Sequence, residues 1–262
     1  MSSEGQVMKG KILVNTWEWM KRRWCQVSAP IRFVLPLFVI VRVWLFLFAA
    51  LLVWKGSPAD VPREYWQGVQ SVSTGLDGWL LGPWQRWDAL WYLRVASMGY
   101  NATDGSTAFF PLYPMSIRLV SLLLGRNYLL SAILVSNMAC LVAMIWLYQL
   151  ARGEQDRECA ERTVVYQMVF PMAFFLLAPY AESLFLLWAV GCLWAARRNC
   201  WWLSGMMGLL AALTRWTGVL LVGPLLWELV QESRSLRGLI RFRSFSLSLI
   251  PLGIVAYSLY SG

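Results

Sequence analysis

Long apolar blocks separated by short charged stretches run the length of the chain, and block length sets the first expectations. Ile31 to Trp54 is long enough as a helix, roughly 36 Å, to cross a hydrocarbon core of about 30 Å. Lys21, Arg22 and Arg23 precede it, which predicts a cytoplasmic segment over residues 1–30, and the block is too long for a signal-peptide core. Tyr128 to Leu150 reads as a second clean span, followed by a charged linker from Arg152 to Arg162. Thr163 to Ala178 and Glu182 to Ala196, separated by Pro179-Tyr180, predict a helical hairpin. Trp201 to Val230 is apolar apart from Thr214-Arg215 and Glu228, which predicts one long helix or two broken near Gly218. A basic stretch, Arg234 to Arg243, leads into a last apolar run from Phe245 to Tyr260.

Residues 55–108 lack a full-length span and carry Pro58, Pro62, Gly68, Gly75, Gly78, Gly82 and Pro83, so they read as a large external loop. Within it Trp84, Trp87, Trp91, Val95 and Met98 recur at spacings of 3, 4, 4 and 3, one stripe of an amphipathic helix expected to lie along the membrane surface. Residues 109–124 are apolar but short and carry Pro111, Pro114 and Arg118, so they suit either a kinked span or a re-entrant element. Re-entrance would put Arg152 to Arg162 and Arg197-Arg198 inside and Pro179 to Ser183 outside with Asp88; a span would put Arg234 to Arg243 inside. The charge bias favours re-entrance.

Composition agrees with the block pattern. The 262 residues are 58% hydrophobic and 14% charged, against about 25% charged in an ordinary soluble domain. The expected fold is therefore all-α: a polytopic transmembrane bundle of about six to seven membrane helices, a single membrane domain over residues 1–262, with interfacial helices in the 55–108 loop. A net charge of +9 raises nucleic-acid binding, but the cations are dispersed between apolar blocks, as topology signals are, and no nucleic-acid partner is expected. No internal repeat is visible, which argues against a transporter built from paired halves.

Histidine is absent, which removes His-based zinc sites and Ser-His or Cys-His catalysis. Cys25, Cys140, Cys159, Cys192 and Cys200 have no metal-ligand spacing and read as small apolar residues, so no metal is expected. Acid–base chemistry falls to carboxylates, tyrosines or cysteines. Most of the fourteen acids lie in polar linkers, whereas Asp88 and Glu182 adjoin strongly apolar sequence. An ionisable group at a membrane is costly and tends to face a cavity where it acts. The plainer readings are a polar-face acid for Asp88 and a helix N-terminal acid for Glu182. Arg118 and Arg215 suit either snorkelling or structural roles.

Four segments in order carry a resemblance. Arg86-Trp87-Asp88-Ala89 with Tyr92, Ala96, Gly99 and Tyr100 resembles the "WD...YL.IA..GY" block of the PIG-V family, the second mannosyltransferases of GPI-anchor synthesis and their bacterial relatives. Phe109 to Pro114 resembles its "FFPLYP" block, Pro179 to Phe185 its "PY.ESLF" block, and Arg215 with Gly218 its "R..G" step. The resemblance covers residues 86–218; family members extend further, with additional membrane helices beyond the matched part.

The resemblance implies a GT-C-like glycosyltransferase that moves a sugar, mannose by family, from a polyprenyl-phosphate carrier to an acceptor glycan or glycolipid, with inversion. It implies an active site on the extracytoplasmic side, here of a bacterial plasma membrane, and no cofactor beyond the lipid-linked sugar donor as co-substrate. Asp88 takes the place of the general base; a carboxylate in a partly desolvated aromatic setting is a better base toward a hydroxyl than one in water. Arg215, Arg118 or Arg94 would balance the leaving phosphate, Arg215 favoured by its motif. Glu182, Tyr180 and Ser183 would bind sugar hydroxyls or orient the acceptor, Trp87 and Tyr92 would stack on the sugar or pack, and Tyr113 of the second block joins the substrate-binding set. Membrane lipids are the other expected partners. The alternative is a catalytically inactive, shortened relative acting as a binding subunit or lipid carrier.

Overall fold

The first apolar block folds as α1, Ala29–Leu52, in a computed structural model that describes residues 29–52, 54, 78, 80–232 and 242–261. Most of the N-terminal segment, residues 55–77 and 79 of the external loop, and most of the basic stretch 234–243 lie outside the described residues. The remaining helices are α2 (Asp88–Met98), α3 (Leu112–Leu123), α4 (Tyr128–Glu154), α5 (Arg157–Val169), α6 (Glu182–Ala196), α7 (Trp201–Thr214), α8 (Val222–Glu232), α9 (Phe242–Leu247) and α10 (Leu249–Ser261). Short 3-10 turns occupy Gly82–Trp84, Ser106–Ala108, Pro171–Leu176 and Trp216–Leu221. No strand occurs among the described residues, in accord with the all-α expectation.

α4 is the spine, 27 residues and so about 40 Å long. Val34 and Phe38 of α1 pack with Cys140, Ala143, Met144 and Tyr148 of α4 and with Ala160 and Val164 of α5. α3 and α6 also lie against α4, α7 pairs with α6, and α10 packs on α7. Close approach of α9 to α7 depends on Gly205, where a Cβ would collide with the Ser246 carbonyl. α1 and α4 are each long and apolar enough to cross a membrane. α3, with 12 residues and about 18 Å, falls short of a core of about 30 Å by itself. Ile40, Trp44, Leu47, Leu119, Leu122 and Leu134 are exposed on the outer faces, a surface that hydrocarbon would cover and water would not favour.

Four local expectations change. The charged stretch 152–162 is no linker: Asp156 caps α5 by accepting the Cys159 N–H at 2.8 Å, so helix runs up to it and resumes after it. The first arm of the 163–196 hairpin ends at Val169, because Pro171 supplies no N–H and holds Phe170 extended at φ −58, ψ 138. The 201–230 run breaks at Arg215, which is extended at φ −151, ψ 143, three residues ahead of the expected glycine. Gly218 serves close packing instead, since a Cβ there would strike the backbone of Ala211 and Ala212, and only glycine lets the 3-10 turn fold back onto α7.

The tryptophan stripe does not form. α2 begins at Asp88, leaving Trp84 and Trp87 ahead of it; Trp84 is 5% exposed and Trp87 68%. Gly82 and Pro83 start a separate turn, and Trp87 at φ 48, ψ −127 turns the chain before the helix begins. The face α2 buries is Ala89, Leu90, Tyr92, Leu93, Val95 and Ala96, packed toward α3 and α4 instead of lying free on a surface.

Candidate active site

Asp88 and Glu182 each occupy the first position of a helix, α2 and α6, where the positive end of the helix dipole favours a carboxylate. The segments leading into them are irregular for identifiable reasons. Trp87 holds a positive φ that costs a non-glycine residue about 1–3 kcal/mol. The turn before Glu182 is built on Pro171 and closed by the Ser183 hydroxyl, which donates to the Leu176 carbonyl.

The four sequence blocks form one contact network. Tyr92 lies edge-on between Phe109, at 5.1 Å, and Tyr113, at 4.9 Å, which joins the first block to the second. The Tyr113 hydroxyl lies 2.7 Å from Ser136 Oγ, and that hydroxyl donates to the Tyr180 carbonyl at 3.1 Å, joining the second to the third. The Tyr180 hydroxyl donates to the Arg86 carbonyl at 3.1 Å, closing the third onto the first. Arg215 Nη1 donates to Glu182 Oε1, which ties the fourth block to the third.

Asp88 is exposed, two residues after the Arg86 carbonyl that Tyr180 holds. Burial, then Glu182, raises the Tyr92 hydroxyl above its ordinary pKa, with Arg215 opposing and Asp88 and Tyr180 adding. The Tyr180 hydroxyl is raised by burial, then by Asp88 and Glu182. Both tyrosines therefore stay protonated, and Asp88, Glu182 and Arg215 act on one electrostatic neighbourhood. Glu182 Oε2 is buried with no hydrogen-bond partner, a carboxylate oxygen able to accept from a ligand hydroxyl. Arg215 commits Nη1 to Glu182, and among the described residues the rest of its planar fork, whose geometry suits an anion, pairs with no other side chain.

Of the other expected site residues, two are packed inside the network and two lie away from it. Ser183 and Tyr113 are fully buried, their hydroxyls engaged with Leu176 and with Ala132 and Ser136. Arg94 pairs with Asp104 at 2.6 Å and lies over the Trp91 ring. Arg118 is in α3 along a largely apolar cleft of about 870 Å³ beside Tyr100 and Tyr257, at the opposite end of α2 from Asp88. Among the described residues no group of three or more Cys, Asp or Glu side chains is placed to hold a metal ion.

A family model described as Mannosyltransferase (PIG-V) matches residues 31–257. The chain belongs to the PIG-V mannosyltransferase family. The GPI alpha-1,6-mannosyltransferase 2 of Rattus norvegicus is 32% identical over 159 residues, 56% of this chain and 32% of the rat protein. That of Cricetulus griseus is 32% identical over 168 residues, 60% of this chain and 33% of its own length. The GPI mannosyltransferase 2 of Gibberella zeae is 37% identical over 103 residues, 38% of this chain and 24% of the fungal protein. The chain thus spans about a third of the length of the mammalian relatives it matches. No solved structure matches it. In this PIG-V family member the sequence blocks cluster in space, while Ser136 and Arg42, which join that cluster, lie outside every block; a lone cation in the middle of the first apolar run was the available signal for Arg42.

Proposed function

We propose that this chain is a membrane-embedded glycosyltransferase that moves mannose from a polyprenyl-phosphate carrier to the hydroxyl of an extracytoplasmic glycan or glycolipid. The observation that carries the reading is the hydrogen bond from the Tyr180 hydroxyl to the Arg86 carbonyl, which holds the segment of the exposed Asp88 against the segment of the Glu182–Arg215 pair. Asp88 takes the proton of the acceptor hydroxyl, the acceptor oxygen bonds to the anomeric carbon from the face opposite the carrier, and the bond from that carbon to the phosphate oxygen breaks. Polyprenyl phosphate leaves with the electron pair and the sugar is inverted. Arg215 balances the negative charge on the departing phosphate, so the reading needs no metal. Glu182, a partly exposed side chain with one oxygen still unpartnered, accepts from sugar hydroxyls, and Trp87, exposed beside Asp88, offers a ring face for stacking. The membrane placement is supported by α1, α4 and their apolar outer faces.

The test is Asp88→Asn in purified protein supplied with a radiolabelled polyprenyl-phosphate mannose. Transfer should fall by about 10³-fold or more with the thermal midpoint unchanged, because the variant keeps the shape and loses the base. Turnover equal to the unaltered protein sinks the assignment. Binding of the polyprenyl phosphate without transfer by the unaltered chain would favour a binding subunit or lipid carrier.

A further inference from the structure

Arg42 lies midway along α1 in an otherwise apolar setting and is 9% exposed. A guanidinium withdrawn from water is costly unless its charge is engaged. Among the described residues no carboxylate pairs with it. Its Nη2 donates instead to the Leu177 carbonyl at 2.5 Å, and its Cζ lies 5.2 Å from the centroid of the Trp84 ring and 4.9 Å from that of Phe46. Leu177 heads the turn that runs into Glu182, and Trp84 ends the turn that runs into Asp88. The Leu177 carbonyl also receives Asn137 Nδ2 at 3.4 Å, which ties it to the α4 spine.

We propose that Arg42 is a positioning residue, one cation that clamps the two irregular segments carrying Asp88 and Glu182 to each other and to α1. The inference rests on the reading of those two acids as the reacting site. Its contacts with both segments are a hydrogen bond to one and a ring contact to the other, so no single apolar side chain reproduces them. Nη1 is buried with no partner, so the position is not one that maximises stability. A residue that leaves one buried N–H unpaired while touching both arms of a site it does not itself enter acts through the placement of those arms. Placement errors of about 1 Å at reacting groups lower rates by about 100-fold.

The experiment compares Arg42→Met, Arg42→Lys and Asp88→Asn in the full chain, reconstituted in nanodiscs, by transfer kinetics, thermal midpoint and backbone hydrogen exchange. Arg42→Met should keep or raise the midpoint and lower kcat about 10- to 100-fold. KM for polyprenyl-phosphate mannose should stay within about twofold. Exchange should rise in residues 84–90 and 176–182 and not in α4. Arg42→Lys, which can still donate to Leu177, should recover part of the lost kcat. Unaltered kcat in Arg42→Met beside an inactive Asp88→Asn overturns this inference alone. A lowered midpoint with exchange raised throughout the bundle also overturns it, since the role is then only structural. Full turnover in Asp88→Asn overturns the functional reading and this inference with it.

Discussion

At the C-terminal end of α2 the polar groups of the loop that follows the helix pair with one another. Arg94 meets Asp104, Asp104 accepts the Ser106 N–H at 2.8 Å, and Ser106 Oγ serves both the N–H and the carbonyl of Asn101. The Tyr257 hydroxyl of α10 donates to the carbonyls of Thr107 and Phe109, and Tyr100 donates to Phe109 as well. At the N-terminal end of the same helix Trp87 is strained, Asp88 is exposed, and Glu182 keeps one buried oxygen without a partner. One helix thus joins a loop whose polar groups satisfy one another to a site with one exposed carboxylate and a second that keeps an unpartnered oxygen. A closed network contributes rigidity, whereas open donors and acceptors carry a cost that a ligand can offset.

The sharpest way to break this contrast is at Glu182. Glu182→Gln weakens the pair with Arg215 and should lower kcat/KM about 100-fold; steady-state kinetics with the polyprenyl-phosphate donor decide it, and an unchanged value would remove Glu182 from the site. Trp87→Gly gives a backbone at φ 48 the one residue that tolerates it, so the protein should gain about 1 kcal/mol, or about 2–4 °C in thermal midpoint. If that strain sets the direction of Asp88, turnover should fall several-fold in the same variant. A gain in stability with full activity would make the strain incidental.

The smallest effect belongs to the closed end. Ser106 hydroxyl and N–H, with Arg94 adding, hold the Asp104 carboxyl below its ordinary pKa. Its contribution is therefore present above the unfolded value of about 4 and is lost as pH falls through the lower folded value. Asp104→Asn should lower the midpoint at neutral pH with turnover of the folded protein unchanged, and the difference from the unaltered chain should shrink below about pH 4. A loss of turnover without a loss of stability would reverse the roles of the two ends.

The long apolar helices α1 and α4 and the helix starting at Glu182 were legible in the residue order, and Asp88 and Glu182 stood out there as candidates, because apolar block length and an acid beside apolar sequence are local properties; Arg215 was a candidate through its motif. The tryptophan stripe misled for an equally local reason: its spacing is helical, but the positive φ at Trp87 interrupts the helix that the spacing presupposes. Arg94 and Asp104 are ten residues apart with a turn between them, so their pairing depends on how the Gly99 to Ser106 loop folds back.

By itself the sequence determined the all-α class, which the described residues follow, two apolar blocks long enough as helices to cross a membrane, and the family to which the chain belongs, since hydropathy and motif order survive without coordinates. Only the tertiary structure decided that Arg42, 46 positions before Asp88 and 135 before Leu177, reaches both approaches to the site. It also decided that Ser136 joins the second and third blocks and that Glu182 keeps an open oxygen. The reason is physical: a hydrogen bond depends on separation in space, and the packing of α1 and α4 brings together groups whose order along the chain keeps them apart.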